Sequence, residues 1–343
     1  MEYRLLGGSG LEVSVLSFGT MTLGGEGRFA AMGNVQAEEA RHHVDICIEA
    51  GVNLFDTADV YSSGKSEEVL GQALGERRKD KDLATKGFYR IEPGTNKVGL
   101  TRRHIIEACE ASLRRLGTDY IDLYQAHNFD SLTPLDETLR AFEDLIRAGK
   151  IRYAGCSNYA GWQLMKALSI SDRLGISRYI SQQINYSLIA RDAEHELVAV
   201  GLDQRIGIMA WSPLQSGLLS GKFRRGQAKP AESRLNTLEL PGTIDEERLF
   251  KIVDVLADIA GQRGVSISQV ALNWVMRKPC VDTVIVGARN ENQLRDNLAA
   301  ATWMLTGAEV ERLDEVSALP LPYPHWHQQR FAGDRNPPAK PVR

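Results

Sequence analysis

Cysteine is scarce in this sequence, and the few cysteines stand far apart. The 343-residue chain has four, and no two of them form a C-x-x-C pair. The spacing argues against a zinc cluster, which needs paired ligands, and against the disulfide framework of a small cysteine-dense chain. We interpret Cys47, Cys109, Cys156 and Cys280 as buried free thiols of a protein from a reducing compartment.

An excess of charge and a long hydrophobic run are also missing. The chain carries 41 basic and 44 acidic residues, a formal net charge of -3. This balance excludes the broad basic field that non-specific nucleic-acid binding requires. No run approaches the roughly 18 uncharged apolar residues of a membrane span, and the N-terminal segment does not resemble a secretion signal. We expect a cytoplasmic protein without nucleic-acid or membrane partners; a homo-oligomer stays an open alternative.

Short apolar runs rich in β-branched residues alternate with amphipathic stretches along the chain. The candidate strands are residues 13–18, 52–57, 82–86, 120–127, 151–157, 179–185, 206–212 and 281–287. The candidate helices include residues 37–50, 101–117, 134–150 and 193–205. Alternating β and α elements predict a parallel sheet, and eight units in one chain favour a (β/α)8 TIM barrel over an open doubly wound sheet.

Two segments do not fit the repeating units. Residues 217–247, after the seventh strand, are rich in glycine, proline and charge and too long for an ordinary connection, which predicts a functional loop on one rim of the barrel. Residues 321–343 are rich in proline near their start. We predict one domain over residues 1–320 and a partly flexible tail over 321–343, whose aromatic side chains fold over a pocket or, as we favour, pack on a helix.

Four polar residues mark neighbouring strand ends. Asp56 ends the second strand, Tyr61 lies five residues further on, Lys86 ends the third strand, and His127 ends the fourth. Active sites of (β/α)8 barrels form at the carboxyl ends of the strands, so we expect these side chains to meet. An adjacent ammonium favours phenolate and lowers the pKa of a tyrosine towards a useful range. The sequence predicts a site that moves a proton to or from an oxygen atom.

A proton that is added to a carbonyl oxygen needs a partner event at the carbonyl carbon. Hydride transfer is the obvious one, and it requires a nicotinamide cofactor because protein side chains do not supply hydride. The sequence has no G-x-G-x-x-G turn, which disfavours a Rossmann-type dinucleotide site. We therefore expect a nicotinamide cofactor bound in another manner and no metal site.

Several motifs, taken in order, resemble the aldo-keto reductases. They are "DTADVYSSGKSEEVLG", "LATK", "DLYQAH", "GCSNY", "QINYSL", "WSPLQSGLLSGK" and "VGARNENQLRDN". The resemblance covers about residues 3 to 317 and is greatest to the bacterial and potassium-channel β-subunit branches. It implies an NAD(P)H-dependent (β/α)8 enzyme with an N-terminal β-hairpin and a long loop after strand 7, which reduces small carbonyl substrates.

By this resemblance Asp56, Tyr61, Lys86 and His127 form a catalytic tetrad, with Tyr61 as the general acid. The residues implied in cofactor binding are Gly19, Thr20, Met21, Asp56, Ser157, Asn158, Gln183, Trp211, Ser212, Pro213, Leu214, Ser216, Gly217, Lys222, Gly287, Arg289, Gln293 and Asn297. Those at 157, 158 and 183 hold the carboxamide, and Trp211 stacks on the nicotinamide. Those at 212–222 line the pyrophosphate, and those at 287–297 hold the adenosine. The predicted substrate residues are Tyr61, Phe88, Tyr89, His127 and Asn128.

Some alternatives stay open. A guanidinium at Arg289 suits a 2′-phosphate, which favours NADPH over NADH. Lys86 is also placed for the Schiff base of an aldolase, and the resemblance to channel β subunits allows a cofactor-binding regulatory subunit with little turnover. Within the first motif, we interpret Asp59 and Lys65 as loop charges, and Ser66 as the N-cap of the next helix.

Overall fold

The computed structural model describes residues 1–226 and 245–334, so the predicted loop over 217–247 and the predicted tail over 321–343 lie partly outside the described residues. A two-stranded antiparallel sheet of β1 (Tyr3–Leu5) and β2 (Glu12–Ser14) precedes the main body. The barrel strands are β3 (Leu16–Gly19), β4 (Leu54–Asp56), β5 (Asp82–Gly87), β6 (Ile121–Ala126), β7 (Ile151–Ser157), β8 (Tyr179–Asn185), β9 (Gly207–Trp211) and β10 (Val281–Val286). Each pairs in parallel with its neighbour, and β10 pairs with β3. The predicted (β/α)8 barrel is confirmed.

Helices connect the strands on the outside of the barrel. They are α1 (Ala37–Glu49), α2 (Lys65–Leu74), α3 (Arg102–Leu116), α4 (Leu135–Arg147), α5 (Gly161–Leu174), α6 (Leu197–Gln204), α7 (Glu246–Arg263), α8 (Ile267–Met276), α9 (Glu291–Ala299), α10 (Gly307–Ser317) and α11 (His325–Phe331). In the described part of the chain, none is long and apolar enough to cross a membrane.

Side-chain alternation along the strands decides which residues face the barrel interior. In β4, Leu54 belongs to the interior cluster, and Phe55 packs outward in the larger core between strands and helices. In β5, Ala84 faces inward in the same way. Because side chains alternate along a strand, Asp56 and Lys86 also point into the barrel, above its apolar lower layer.

The predicted first strand, residues 13–18, is wrong as a single element. Val13 lies in β2 of the hairpin, and only the segment from Leu16 belongs to the barrel. The hairpin covers the amino-terminal end of the barrel, where Gly7 adopts φ +59°. A side chain at Gly7 would meet the backbone nitrogen of Gly207 at 2.4 Å, so only glycine allows this close approach.

Two helix predictions also need correction. The predicted helix over 193–205 is a 3-10 turn, Asp192–Glu194, followed by the shorter α6. Ser66 does not cap α2, which begins at Lys65 after Gly64. The Ser66 hydroxyl instead donates a 2.8 Å hydrogen bond to the carbonyl oxygen of Thr20, and it joins α2 to the end of β3. Thr101 caps α3: its hydroxyl accepts from the His104 amide.

Candidate active site

Three of the four predicted tetrad residues come from the carboxyl ends of consecutive strands. Asp56 ends β4 opposite Ala84, Lys86 lies near the end of β5 opposite Gln125, and His127 directly follows β6. A cavity of about 1240 Å³ opens at this end of the barrel, and Asp56, Tyr61 and His127 are part of its lining. The strand register therefore brings Asp56, Lys86 and His127 to neighbouring positions at this end of the barrel, as the sequence predicts.

Lys86 is fully buried and held by two oxygen atoms. Its Nζ donates to Asp56 Oδ1 at 2.6 Å and to the carbonyl oxygen of Thr57 at 2.8 Å. Burial lowers the pKa of Lys86, but the Asp56 carboxylate and Tyr61 act in the opposite direction, and the net direction is upward. Lys86 is therefore an ammonium ion at neutral pH.

The second carboxylate oxygen of Asp56 is held by two amides. Gln183 donates to Oδ2 at 2.8 Å and Gln125 at 3.4 Å. With Lys86 on the other oxygen, the carboxylate is bound from three strands. A buried carboxylate needs such partners to remain ionised, and here they also fix its direction.

Tyr61 stands above this ion pair. The centroid of its ring lies 5.1 Å from Lys86 Nζ and 5.8 Å from the His127 ring, which meets it edge-on. Burial raises the pKa of Tyr61, and the opposing effect of Lys86 is smaller. The expectation of a lowered pKa is therefore wrong, because burial outweighs the ammonium. The phenol is protonated at neutral pH, which suits a proton donor.

The turn after Tyr61 has an unusual backbone. Ser62 and Ser63 have φ values of +49° and +56°, and Gly64 follows at +95°. Left-handed conformations at two consecutive non-glycine residues are strained and persist only where the surroundings hold them. The Ser62 hydroxyl donates to the carbonyl oxygen of Leu23 at 2.9 Å. A side chain at Gly64 would meet Arg115 Cδ at 2.7 Å. The surroundings therefore fix the position of Tyr61.

A buried charged network lies behind this turn. Glu67 of α2 accepts from Thr85 Oγ1 and from Arg115 Nε, both at 2.6 Å. Thr85 precedes Lys86 in β5, and Arg115 belongs to α3. Glu67 thus connects the helix that follows Tyr61 with the strand that carries Lys86.

Asp59 lies in the same region and is fully buried. Neither carboxylate oxygen has a hydrogen-bond partner among the described residues. Burial raises the pKa of Asp59 well above its usual range, and the Glu67 carboxylate adds to this. The interpretation of Asp59 as a loop charge is wrong: it is a buried acid between the tetrad and the Glu67 network. Lys65, by contrast, is partly exposed and pairs with Glu68.

Every residue predicted to bind the cofactor lines the same cavity as Asp56, Tyr61 and His127. These residues come from β3, β4, β7, β8 and β9, from the loops after β3, β7, β9 and β10, and from α9, so the cavity runs across the barrel mouth. Near its centre, Asn158 donates to the carbonyl oxygen of His127 at 3.0 Å, and Ser157 donates to that of Gln183 at 2.9 Å. Their polar side chains are thereby set in place beside Asp56.

The turn after β9 is shaped to receive an anion. Ser212, Gln215, Ser216 and Gly217 have φ values of +52°, +44°, +54° and +94°. Turns that combine left- and right-handed residues direct backbone N–H groups into a concavity, which is a recurrent phosphate site. Lys222 lines the same cavity. Gln215 Oε1 and Trp211 Nε1 are buried and have no partner in the described residues. Strained backbone, a cation and unpaired polar atoms together fit a dinucleotide.

The far end of the cavity is built on α9. Asn290 caps this helix by accepting from the Gln293 amide at 3.0 Å, and Gln293 Oε1 accepts from the Arg289 amide at 3.1 Å. Asn297 donates to the carbonyl oxygen of Gly287 at 3.3 Å. The Arg289 guanidinium donates to the backbone of the loop after β3. These contacts hold the predicted adenosine residues at one end of the groove.

The substrate predictions divide into two groups. Tyr61, Tyr89 and His127 line the cavity, with the Tyr89 and His127 rings 4.9 Å apart. Phe88 and Asn128 do not line it: Phe88 packs edge-on behind Tyr89, and Asn128 Oδ1 accepts from the next backbone amide at 2.9 Å. The strand-end pattern brings these two residues near the mouth, but their side chains contact the cavity residue Tyr89 and do not themselves line the cavity.

Sequence reasoning missed part of the lining. The additional residues are Thr22, Phe29, Val60, Gln215, Ser220, Phe223, Ser266, Ser268, Ile285, Val286, Asn290 and Asp296. Gln215, Asn290 and Asp296 lie inside recognised motifs, and that proximity was the signal available for them. Ser266 and Ser268 belong to the cap of α8 and to α8 itself, where no strand-end signal exists. Phe29 sits in a loop, and nothing in its sequence context indicates the pocket.

Comparisons with known proteins agree with this geometry. The family model described as "Aldo/keto reductase family" matches residues 15–318. A probable voltage-gated potassium channel subunit beta of Arabidopsis thaliana is 37% identical, over 92% of this chain and 96% of the relative. An uncharacterized oxidoreductase, YrpG, of Bacillus subtilis is 35% identical with the same coverage, and the versiconal hemiacetal acetate reductase of Aspergillus parasiticus is 33% identical, also with the same coverage. The chain belongs to the aldo/keto reductase family of NAD(P)H-dependent oxidoreductases, which act on carbonyl compounds.

Proposed function

We propose that this protein reduces an aldehyde or ketone to the alcohol, with NADPH as the cofactor and Tyr61 as the proton donor. One observation carries the proposal. The Tyr61 ring lies 5.1 Å from the Nζ of the buried Lys86, and this Nζ is 2.6 Å from Asp56 Oδ1. All of this lies at the rim of a groove that extends to Lys222 and Arg289.

Each tetrad residue has its own role in the proposed carbonyl reduction. The nicotinamide, when bound, supplies a hydride to the carbonyl carbon. Tyr61 donates its hydroxyl proton to the carbonyl oxygen. Lys86 stabilises the phenolate left on Tyr61, and Asp56 keeps Lys86 charged and in place. The His127 imidazole faces the Tyr61 ring and orients the carbonyl oxygen towards the phenol. The same residues run the reaction in reverse, with the phenolate as base.

Two cations support the choice of NADPH over NADH. Lys222 and Arg289 line the same groove as Tyr61. A guanidinium pairs with a phosphate in a fork geometry, and NADPH differs from NADH by one phosphate group. We include in the proposal a single domain over residues 1–320, with 321–343 as a tail, and a small-molecule carbonyl as the substrate.

A kinetic panel tests the proposal. The purified protein is mixed with NADPH or NADH and a set of aldehydes and ketones, and the loss of reduced-nicotinamide absorbance is followed. We expect turnover with at least one carbonyl and a lower KM for NADPH than for NADH. If no carbonyl is turned over and neither cofactor binds, the proposal is rejected.

The potassium-channel relative motivates a second candidate, a regulatory subunit that holds the cofactor and turns over slowly. Such a protein would co-purify with tightly bound NADP and show slow single-turnover hydride transfer, whereas a reductase releases product and cycles. Mass spectrometry of the purified protein, combined with a multiple-turnover assay, separates the two.

The aldolase alternative is disfavoured by the state of Lys86. A Schiff base requires a neutral amine, but Lys86 is paired with Asp56 and its pKa is raised rather than lowered. Borohydride in the presence of a carbonyl substrate should leave the mass of the protein unchanged.

A further inference from the structure

The loop after β3 forms a closed strap over one side of the cavity. We call residues 25–34 the strap. Its neck is closed by backbone hydrogen bonds from Gly24 to the carbonyl oxygen of Val35 at 3.0 Å, and from Val35 to that of Thr22 at 3.1 Å. A compact loop with its ends joined in this way holds its own shape but needs further contacts to fix its tip.

One side of the strap contacts the tetrad. The Phe29 ring lies 5.4 Å from the Tyr61 ring at an interplanar angle of 60°, and Phe29 lines the same cavity. A 3-10 turn carries it, in which the Met32 amide donates to the carbonyl oxygen of Phe29 at 2.9 Å. Phe29 therefore forms an aromatic wall directly beside the proposed proton donor.

The other side of the strap is held from the opposite end of the groove. The Arg289 guanidinium donates to the carbonyl oxygens of Ala31 at 2.9 Å and Met32 at 3.2 Å. The backbone amide of Arg289 donates in turn to Gln293 of α9. One planar guanidinium thus binds two successive carbonyl groups. These two hydrogen bonds fix the position of the strap segment that follows Phe29.

We propose that Arg289 is a positioning residue for Phe29, and that Phe29 selects bulky apolar carbonyl substrates. The proposal rests on the proposed function for its kinetic part. Arg289 lies at the adenosine end of the groove, so a residue expected only to recognise a phosphate also sets the wall of the substrate pocket. A bulky apolar substrate gains contact with Phe29, and a small aldehyde does not reach it.

The cofactor NADH separates this role from phosphate recognition. NADH has no 2′-phosphate, so an arginine that only binds that group contributes nothing when NADH is used. The hydrogen bonds from Arg289 to the strap, by contrast, do not depend on which cofactor is present. With NADH, a loss of adenosine contact lowers kcat/KM for every aldehyde alike, so the ratio between a bulky and a small aldehyde reports on the strap.

The kinetic experiment uses Arg289→Ala, Phe29→Ala and the double variant, with a bulky aryl aldehyde and with propanal. With NADH, we expect each single variant to lower the ratio of kcat/KM for the aryl aldehyde to kcat/KM for propanal about 3- to 10-fold. The double variant should match Phe29→Ala, because the two residues act as one unit. Arg295→Ala is the control: this exposed arginine of α9 pairs with Glu291.

A second measurement does not depend on activity. Hydrogen exchange of the cofactor-free protein, followed by mass spectrometry, should be faster in peptides covering 25–34 in Arg289→Ala than in wild type or Arg295→Ala. If Arg289→Ala changes neither strap exchange nor aldehyde kinetics with NADH, the proposal is overturned. If strap exchange accelerates but the wild type reduces no carbonyl, the positioning role stands and the proposed function is rejected.

Discussion

Lys86 Nζ and Asp56 Oδ1 are 2.6 Å apart, and neither side chain is more than 3% exposed. Such a pair is costly to break, because the remaining charge stays buried without compensation. The arrangement makes the charge state of one residue depend on the presence of the other.

Asp56→Asn should therefore lower the free energy of unfolding by about 3–5 kcal/mol. Loss of the carboxylate also lowers the pKa of Lys86, so the alkaline limb of the rate profile should move to lower pH. Chemical denaturation and a pH profile of kcat measure the two effects. Asp258→Asn, which removes an exposed partner of Arg312, is the control and should change stability by less than about 1 kcal/mol. Equal effects of both variants would contradict the prediction.

Tyr61→Phe should reduce kcat for carbonyl reduction about 100-fold or more, the usual range for loss of a positioned general acid. Cofactor affinity should remain close to that of the wild type, since the change removes one oxygen atom from the substrate end of the groove. Fluorescence titration measures the cofactor affinity, and steady-state kinetics measure kcat. Tyr120→Phe serves as the control, because its ring packs against Arg78 and Arg152 away from the cavity. Full activity in Tyr61→Phe would exclude this residue as the proton donor.

Glu67→Gln should weaken both stability and turnover. The neutral amide still accepts from Thr85, but it leaves Arg115 without its counter-charge, for an expected loss of about 2 kcal/mol. Because Glu67 joins the segment after Tyr61 to the strand of Lys86, kcat should fall more than KM rises. Glu107→Gln, on the exposed face of α3, is the matched control. A variant that loses stability and keeps kcat would show that the network serves the fold alone.

Asp82→Asn should give a pH-dependent gain in stability. Burial raises the pKa of Asp82 to about 6, and nearby Asp122 adds to the shift. An unfolded aspartate titrates near 3.9, so the folded state holds this proton more tightly, and the stability it contributes is lost as pH rises from about 4 to about 6. The variant should match the wild type near pH 4 and exceed it by about 1–2 kcal/mol at pH 7.5. Thermal unfolding measured from pH 4 to pH 7.5 tests the direction of this change in stability, and Asp203→Asn, at an exposed position, is the control. A gain in stability that does not depend on pH would contradict the prediction.

The sequence allowed the tetrad to be predicted because its members follow a regular rule. Asp56, Lys86 and His127 each sit where an apolar run ends, and a closed parallel barrel brings such positions to one rim. Tyr61 follows Asp56 closely enough to share that rim. The prediction of cofactor-binding residues depended on motif resemblance, and these residues line the same cavity.

The remaining features depend on tertiary contacts that no local pattern encodes. Asp59 looks like a loop charge, but the left-handed turn at Ser62 and Ser63 folds its segment inward against Glu67. Phe29 lies about 30 residues from Tyr61 along the chain and meets it only because Arg289 and the neck of the strap hold the loop in place. Val13 continues an apolar run, but the chain turns from the hairpin into the barrel between Ser14 and Leu16, and hydrophobicity does not mark that turn.

The pairing of β3 with β10 has a consequence for biosynthesis. Leu16 lies opposite Val284, so the first and last barrel strands meet only when nearly the whole chain is available. The groove is lined by residues of both strands' ends, with Gly19 at the end of β3 and Gly287 directly after β10. A growing chain on the ribosome therefore has no complete groove until β10 has emerged. A ligand that needs residues from both strands has no matching site on a chain that lacks β10, so it stabilises the closed barrel.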